Sequence, residues 1–213
     1  MKQISILAAL ACLSTAGCGG DGAARPESGA AVAPLPTDWR AVATAADRER
    51  LRNWRTSWVE ALAEARGAGR GADIRREGVL LDPDRALPGA TPPAGDYRCR
   101  TIKVGTRGMG GLAYIAYPFF DCRIDDEGQV RSFHKRSGSQ RPVGLIFADG
   151  AARAVFLGTM VLGDETMPLQ YGQDAARDLA GIVERVGDRR WRIALPAPAY
   201  ESKLDVVELV PAG

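Results

Sequence analysis

The sequence predicts a mainly β domain (α+β), in which one N-terminal amphipathic helix precedes about eight antiparallel strands. Three observations support this fold class. The apolar residues repeat with the period of a helix before residue 67 and with a period of two from residue 96 onward. Turn motifs recur between the later apolar segments. Short strands joined by tight turns are typical of an up-and-down barrel or of a strongly curled sheet.

The N-terminus has the pattern of a bacterial lipoprotein leader. Lys2 precedes an apolar run over residues 4–13, and small residues follow directly before Cys18. This order is typical of a secretory signal peptide, and a cysteine placed here resembles the lipobox whose sulfur is acylated. The run is too short to span a membrane, which takes about 20 residues. We expect a signal peptide over 1–17 and lipid attachment at Cys18; an ordinary signal cut near Ala16 is the alternative.

The residues after the cysteine predict where the protein is held. Gly19, rather than an aspartate, follows Cys18, as in lipoproteins that are sorted to the outer membrane. We therefore expect an envelope protein that is anchored by its N-terminal lipid, at the outer membrane and facing the periplasm. Residues 18–36 are rich in glycine, alanine and proline and are expected to form a flexible tether. A single globular domain is expected over residues 37–213.

One helix and an irregular connector open the predicted domain. The helix is predicted over residues 44–66, with Thr44 as the N-cap of a capping box. Trp54 and Trp58 lie one turn apart on its apolar face, and we expect them to pack against the sheet. Residues 68–95 contain repeated prolines and glycines and are expected to form a connector with at most a short helical segment.

The β region is predicted over residues 96–211. Asp149-Gly150 and Gly187-Asp188 are hairpin-type turns. Around Trp191, apolar and arginine residues alternate, which indicates an inner and an outer face. The predicted strands cover residues 97–107, 112–124, 129–137, 142–147, 153–161, 178–186, 189–195 and 204–210.

The cysteines of the domain predict one disulfide. Cys99 and Cys122 are an even pair in an oxidising compartment, and two buried free thiols are the alternative. If the two are direct cross-strand partners, the turn centre falls between Gly110 and Gly111, a favoured loop. A zinc site needs four ligands, and two cysteines with the one histidine of the chain fall short. We predict no metal and no cofactor.

A cluster of hydrogen-bond donors is the most suggestive polar site. Lys135, Ser139, Gln140 and Arg141 fall around one predicted turn, and Arg177 at the start of a later strand can join them. Packed donors of this kind hold carboxylate or phosphate groups. The alternative is a solvated turn with a structural Arg–Asp pair. A small anionic or apolar ligand is therefore expected here first.

Catalytic motifs are weak. A hydrolase would need His134 to act on Ser139 or another nearby serine, and the nucleophile-elbow pattern is missing from the sequence. The acidic pairs at 125–126 and 164–165 lie in predicted turns. A strand follows the glycine-rich segment 105–111, where a phosphate-binding loop requires a helix. The net charge of +2 gives no electrostatic case for nucleic acid. We predict no catalytic residue.

Several segments spread over the domain carry a resemblance to a known family. They are the helix with Trp54 and Trp58 and residues 95–100, 121–124, 138–141, 156–158, 177–178 and 189–192. Together they resemble bacterial secreted proteins and lipoproteins grouped as domain of unknown function 4893, over about residues 37–211. The resemblance implies an envelope role and no catalytic residue. In architecture, the predicted barrel also resembles small secreted inhibitors of metalloproteases and lipocalins.

These observations favour a lipid-anchored envelope protein without enzymatic activity, whose barrel binds a small ligand or an envelope protein. A barrel of eight strands has room for its own side chains or for one small ligand. The first alternative is a periplasmic protease inhibitor that acts through its N-terminal segment. The second alternative is a hydrolase that uses Ser139 or a carboxylate.

Overall fold

The computed structural model describes residues 35–108 and 111–213. The predicted signal peptide, Cys18, nearly all of the predicted tether and Gly110 lie outside the described residues. The helices are α1 (Trp39–Val42), α2 (Ala45–Arg52), α3 (Trp54–Gly67) and α4 (Gly71–Glu77), and a 3₁₀ turn follows at Gly78–Leu81. The strands are β1 (Gly95–Val104), β2 (Tyr114–Ala116), β3 (Phe120–Asp126), β4 (Val130–Lys135), β5 (Gln140–Ala148), β6 (Ala154–Leu162), β7 (Asp178–Gly187), β8 (Arg190–Pro196) and β9 (Leu204–Pro211).

The strands form a closed barrel. β1 and β3 to β9 pair in chain order, each antiparallel to the next, and β1 also pairs with β9 along eight residue pairs. The ring therefore has no free edge apart from the short extra strand β2, which pairs with β1 beyond the end of β3. The mainly β prediction is confirmed, and of the two predicted forms the closed barrel is the one observed.

The predicted disulfide is present, but its predicted register is wrong. Cys99 and Cys122 are bonded, with their Cα atoms 5.9 Å apart. Tyr97 pairs with Cys122, and Cys99 pairs with Phe120, so the two cysteines are diagonal neighbours on one face of the hairpin. The common face was predicted correctly, while the assumption that the two cysteines pair directly displaced the register by two residues.

The strand predicted over 112–124 is two strands, β2 and β3. Pro118 lies between them, and it has no N–H to donate to the ladder. Cys99 pairs with Phe120 and Ile102 with Ala116, so one extra residue lies on the returning chain between these pairs. Such a bulge changes the register locally and ends the regular pairing.

The helix predicted over 44–66 is also divided, into α2 and α3, which meet at Asn53. The predicted N-cap is correct, since Thr44 Oγ1 accepts a hydrogen bond from the Asp47 amide at 3.1 Å. Trp58 is fully buried in the cluster between α3 and the barrel, as predicted. In the described part of the chain, no helix is both long and apolar enough to cross a membrane.

Strand alternation divides the buried residues into two cores. On β6, Phe156 and Met160 belong to the cluster inside the barrel, whereas Val155 and Leu157 belong to the cluster outside it. The outer cluster also contains the apolar faces of α2 and α3. The barrel therefore buries both faces of several strands, which explains their nearly continuous apolar sequences.

A buried arginine fastens the connector to the outer face of the barrel. Arg192 and Glu184 are both fully buried and form an ion pair. The guanidinium also donates to four backbone carbonyls between residues 79 and 85. It lies over the ring of Trp58, 4.5 Å from the centroid. Every hydrogen-bonding direction of this charge therefore has a protein partner.

The two ends of the barrel differ. At one end, Trp191 Nε1 donates to the Gly89 carbonyl at 2.9 Å, and the Tyr97 hydroxyl donates to the Pro93 carbonyl at 2.8 Å. Ala90 is buried with Tyr97 and Trp191 in the interior cluster. The connector thus covers this end, which we call the closed end. We call the opposite end, at which β1, β4, β6 and β8 finish, the mouth.

Helix α3 holds two loops of the mouth. Glu64 accepts hydrogen bonds from the Thr106 amide at 2.9 Å and from Lys203 Nζ. These bonds, that from Lys203 above all, lower the pKa of Glu64 to about 2. The loops after β1 and before β9 are therefore joined to the helical layer through one carboxylate.

Candidate functional site

The barrel interior becomes polar as it approaches the mouth. The interior faces of β1, β4 and β9 end there in Lys103, Lys135 and Asp205, whereas the deeper interior cluster contains Cys99, Phe133 and Val207 from the same faces. The three side chains belong to residues only 3%, 6% and 1% exposed, respectively. Charged residues are rarely this buried unless they are paired or bind something.

These side chains line a cavity of about 200 Å³ inside the mouth. We call it the mouth cavity. Its apolar wall includes Phe120, Met160, Leu195 and Val207, and its polar wall includes Lys103, Lys135, Ser139, Gln140, Glu201 and Asp205. An apolar wall with a few converging polar groups is the usual composition of a small-molecule site. The volume suits a ligand smaller than a typical drug molecule.

Lys135 is the buried cation of the cavity that has no carboxylate partner in the described part of the chain. Its Nζ donates to the carbonyls of Ser137 and Gln140, both at 2.8 Å, and lies 4.1 Å from the centroid of the Phe120 ring. Burial, and secondarily the nearby Arg141 guanidinium, lower the pKa of Lys135 to about 8. The side chain is therefore mostly cationic at neutral pH, and its charge is only partly compensated.

Gly138 makes this arrangement possible. Its φ is +89°, and a Cβ at this position would lie 2.8 Å from Lys135 Nζ and 3.2 Å from Phe120. A side chain here would both strain the backbone and displace the ammonium group. The turn between β4 and β5 therefore accommodates Lys135 as well as reversing the chain.

Lys103 contrasts with Lys135 because it is paired. Its Nζ lies 3.0 Å from Asp205 and 3.2 Å from Glu201. Burial acts to lower the pKa of Lys103, but the two carboxylates outweigh it and hold that pKa above its ordinary value. Asp205 also accepts a hydrogen bond from the buried Ser202 hydroxyl. This pair is the fixed polar element of the cavity.

Glu201 is the second carboxylate that contacts Lys103. Its carboxylate contacts Lys103 and accepts a hydrogen bond of 3.5 Å from Gln140 Nε2. Unlike Asp205, the Glu201 side chain is 54% exposed. Glu201 also lines a second cavity of about 410 Å³ beside the mouth, which shares Lys103 and Tyr117 with the first.

The predicted donor cluster is divided by the structure. Lys135, Ser139 and Gln140 line the mouth cavity. Arg141 instead donates to the carbonyls of Gly138, Gly163 and Glu165. Arg177 forms a bidentate pair with the Glu165 carboxylate, at 2.8 and 2.9 Å. Both arginines therefore fasten the loop after β6, and neither lines the cavity.

Three charged residues of the cavity escaped the sequence prediction: Lys103, Asp205 and Glu201. Two of them carried a usable signal. Lys103 has the same strand parity as Cys99, and Asp205 has the same parity as Val207, so each falls on the face that the alternation assigns to the interior. Glu201 lies in a loop, where parity gives no direction.

The hydrolase hypothesis required His134 to meet a serine. His134 lies between Phe133 and Lys135 on β4, which both face the interior, so it lies on the outer face of the barrel. Ser139 lines the mouth cavity. Among the hydrogen bonds of residues 35–108 and 111–213, none joins His134 to a serine. The structure does not bring these predicted partners together.

Three of the four residues in the acidic pairs form ion pairs with arginines. Asp125 and Asp126 form ion pairs with Arg123 and Arg131, respectively, and Glu165 pairs with Arg177. Within the described ranges, no group of three His, Cys, Asp or Glu side chains is arranged to hold a metal ion. The mouth cavity is thus lined by three buried charged residues, Lys103, Lys135 and Asp205.

Comparison with known proteins gives one match. A family model described as "Domain of unknown function (DUF4893)" matches residues 39–209. The matched segment begins at α1 and ends in β9, so it includes the whole barrel and the mouth cavity. No curated protein and no solved structure matches the chain.

Proposed function

The chain belongs to the DUF4893 family, and we propose that it is a lipid-anchored envelope protein whose barrel binds a small anionic ligand at its mouth, without catalysing a reaction. The family description states no activity. The mouth cavity supports the binding, and the N-terminal sequence supports the anchoring.

The buried and unpaired charge of Lys135 is the observation that carries the proposal. An ammonium group that loses its water needs compensation, and two carbonyls and a ring supply only part of it. An anion in the adjoining cavity would complete the compensation. Charge-assisted hydrogen bonds of this kind are about twice as strong as neutral ones.

The remainder of the interior supports a small ligand rather than a long one. The closed end is covered by the connector, and the interior cluster between the two ends contains large buried side chains such as Phe133 and Phe156. A ligand can therefore occupy only the mouth end of the barrel. The apolar wall formed by Phe120, Met160 and Val207 favours an anion that also carries an apolar body.

The anchoring part of the proposal is supported by the sequence around Cys18. Acylation of this cysteine would hold the domain at the membrane through more than one chain, as stable anchoring requires. Radiolabelled palmitate should enter the wild-type protein and fail to enter a Cys18→Ser variant. Equal labelling of the two proteins, or none, would contradict lipid attachment at Cys18.

Native mass spectrometry tests the binding part. The wild type and two variants that each replace a cation by methionine would be purified from the membranes in which they are produced. Lys135→Met removes the cavity cation, whereas Arg52→Met, the control, removes an exposed cation that pairs with Glu49 on α2. We expect an additional ligand mass on the wild type and on the control, and none on Lys135→Met. The same mass on all three proteins, or on none, would contradict the proposed site.

A further inference from the structure

Glu201 occupies a position in the mouth cavity that a ligand carboxylate would suit. Its carboxylate lies between Lys103 Nζ, at 3.2 Å, and Gln140 Nε2, at 3.5 Å. An ammonium and an amide N–H on two strands thus converge on one carboxylate. These donors already bind a carboxylate of the chain itself, so a ligand carboxylate would suit them.

The backbone at Glu201 is in an uncommon conformation. Its φ is +64°, a left-handed value that is unfavourable for most residues other than glycine. The Glu201 carbonyl accepts a hydrogen bond from the Arg107 amide at 2.9 Å, which joins the two mouth loops here. The backbone of Glu201 is therefore positioned at the mouth by a loop rather than by a strand.

Of the two ion pairs that Lys103 forms, the pair with Glu201 is the weaker. Asp205 is 1% exposed and shares Lys103 in a buried pair, so its removal would leave a buried charge. Glu201 has a half-exposed side chain, and ion pairs with such a partner contribute little. If the Glu201 side chain turned toward solvent, Lys103 would keep its ion pair with Asp205, and the Glu201 carboxylate would be hydrated by water.

Charge balance favours a ligand with one negative charge. The four charged residues of the cavity are Lys103, Lys135, Asp205 and Glu201, which sum to zero. Without Glu201, the cavity has one uncompensated positive charge. A monoanion that replaces Glu201 restores the balance, whereas a dianion would leave an excess negative charge in a partly buried site.

We infer that Glu201 is an internal competitor for the ligand site, and that the ligand is a small monocarboxylate with an apolar body, which displaces Glu201 from Lys103 and Gln140. This inference rests on the proposed function and specifies its ligand. The ligand carboxylate takes the place of the Glu201 carboxylate, so that its charge balances that of Lys135 in the same cavity while Lys103 keeps Asp205. The apolar body lies against Phe120, Met160 and Val207. The ligand affinity is lowered by the fraction of molecules in which Glu201 holds the site.

Calorimetric titration with octanoate tests the inference, with 1-octanol as the neutral probe of the same apolar body. The proteins are the wild type, Glu201→Gln, Lys135→Met and Glu60→Gln. The last is a matched control, because Glu60 is exposed on α3 and does not line the cavity. We expect Glu201→Gln to bind octanoate up to about fivefold more tightly than the wild type, the range that a weak ion pair allows. Glu60→Gln should bind octanoate with the affinity of the wild type. The affinity for 1-octanol should be the same in Glu201→Gln and in the wild type.

The outcomes separate this inference from the proposed function. Suppose that Lys135→Met abolishes octanoate binding, but Glu201→Gln binds octanoate no more tightly than the wild type. This result would overturn the competitor role of Glu201 while supporting the mouth site. No binding of octanoate to the wild type or to Glu201→Gln would overturn the monocarboxylate. In that case, a ligand mass retained on the wild type and absent from Lys135→Met would still support the proposed function.

Discussion

Arg192 and Lys135 are both buried cations, but their surroundings differ in kind. Arg192, on the outer face, has a fully buried carboxylate partner in Glu184, four carbonyl acceptors and the face of Trp58. Lys135, at the mouth, has two carbonyls, one aromatic ring and an open cavity. The first charge is satisfied by the protein alone, and the second is not.

The difference indicates separate roles for the two sites. A buried charge with a complete set of partners fixes the elements that supply those partners, here the connector and the outer face of β7 and β8. A buried charge with an incomplete set lowers stability unless something else completes it. Sites of the second kind are candidates for binding, because the missing partner can be a ligand.

The largest expected effect follows from removing the satisfied charge. Arg192→Met leaves Glu184 buried, with Arg153 at 3.1 Å as its remaining cation. We expect the free energy of unfolding in urea to fall by about 3 to 5 kcal/mol, as when one partner of a buried ion pair is removed. Arg52→Met, which removes an exposed arginine paired with Glu49, should cost less than about 1 kcal/mol. A loss at Arg192 no larger than that at Arg52 would refute the structural role.

The disulfide inside the barrel should have the next largest effect. Cys99 and Cys122 are 23 residues apart, and a bond that closes a loop of this length is worth about 3 kcal/mol. We expect the Cys99→Ala/Cys122→Ala variant to unfold at a lower urea concentration than the oxidised wild type. Reduced wild type is the control, since it should behave like the variant. Coincident unfolding curves for the oxidised and reduced proteins would contradict this prediction.

Lys135 should give a smaller effect, which depends on pH. Its pKa is about 8 in the folded protein and ordinary in the unfolded chain, so the unfolded state binds more protons between about pH 8 and 10.5. The stability of the wild type relative to Lys135→Met should therefore rise through this interval by up to about 3 kcal/mol, since each pKa unit corresponds to about 1.4 kcal/mol. Urea unfolding of both proteins at pH 7 and pH 10.5 measures it. A relative stability that stays flat or falls would show that the Lys135 charge is fully compensated.

Ser139→Ala should have the smallest effect. Ser139 is exposed at the rim of the mouth cavity, and its side chain makes no hydrogen bond within the described residues. We expect the free energy of unfolding to change by less than about 0.5 kcal/mol and the retained ligand to be unchanged. If Ser139→Ala lost the ligand and Lys135→Met retained it, the ligand would be bound by the turn rather than by Lys135.

The regular parts of the barrel were predictable because local rules determine them. Alternation and hairpin turns identify a strand wherever one residue in two is buried, and the predicted eight segments match the ring apart from the division into β2 and β3. That division depends on Pro118 and on one extra residue, which apolar counting does not detect. The common face of Cys99 and Cys122 was predicted correctly because the face depends only on the local alternation along each strand. Their register was wrong because it depends on the length and shape of the whole loop between them.

The candidate site was only partly predictable, because its polar residues come from distant segments. Lys135, Ser139 and Gln140 are close in sequence and were found as a cluster. Lys103 and Asp205 are 102 residues apart and meet only because β1 pairs with β9 to close the barrel. Arg141 and Arg177 were included in the predicted site because arginines commonly bind anions. The backbone carbonyls and the Glu165 carboxylate to which they donate come near them only in the folded chain.

Chemical-shift mapping of the backbone amides during octanoate addition tests the mouth site most directly, because it compares the two ends of the barrel in one experiment. We predict saturable shifts at residues around the mouth cavity, such as Gln140, Met160 and Val207, with none at Tyr97 or Trp191 of the closed end. Lys135→Met should abolish the mouth shifts. Saturable shifts centred on the closed end, or mouth shifts that persist in Lys135→Met, would contradict a ligand site built around the unpaired lysine.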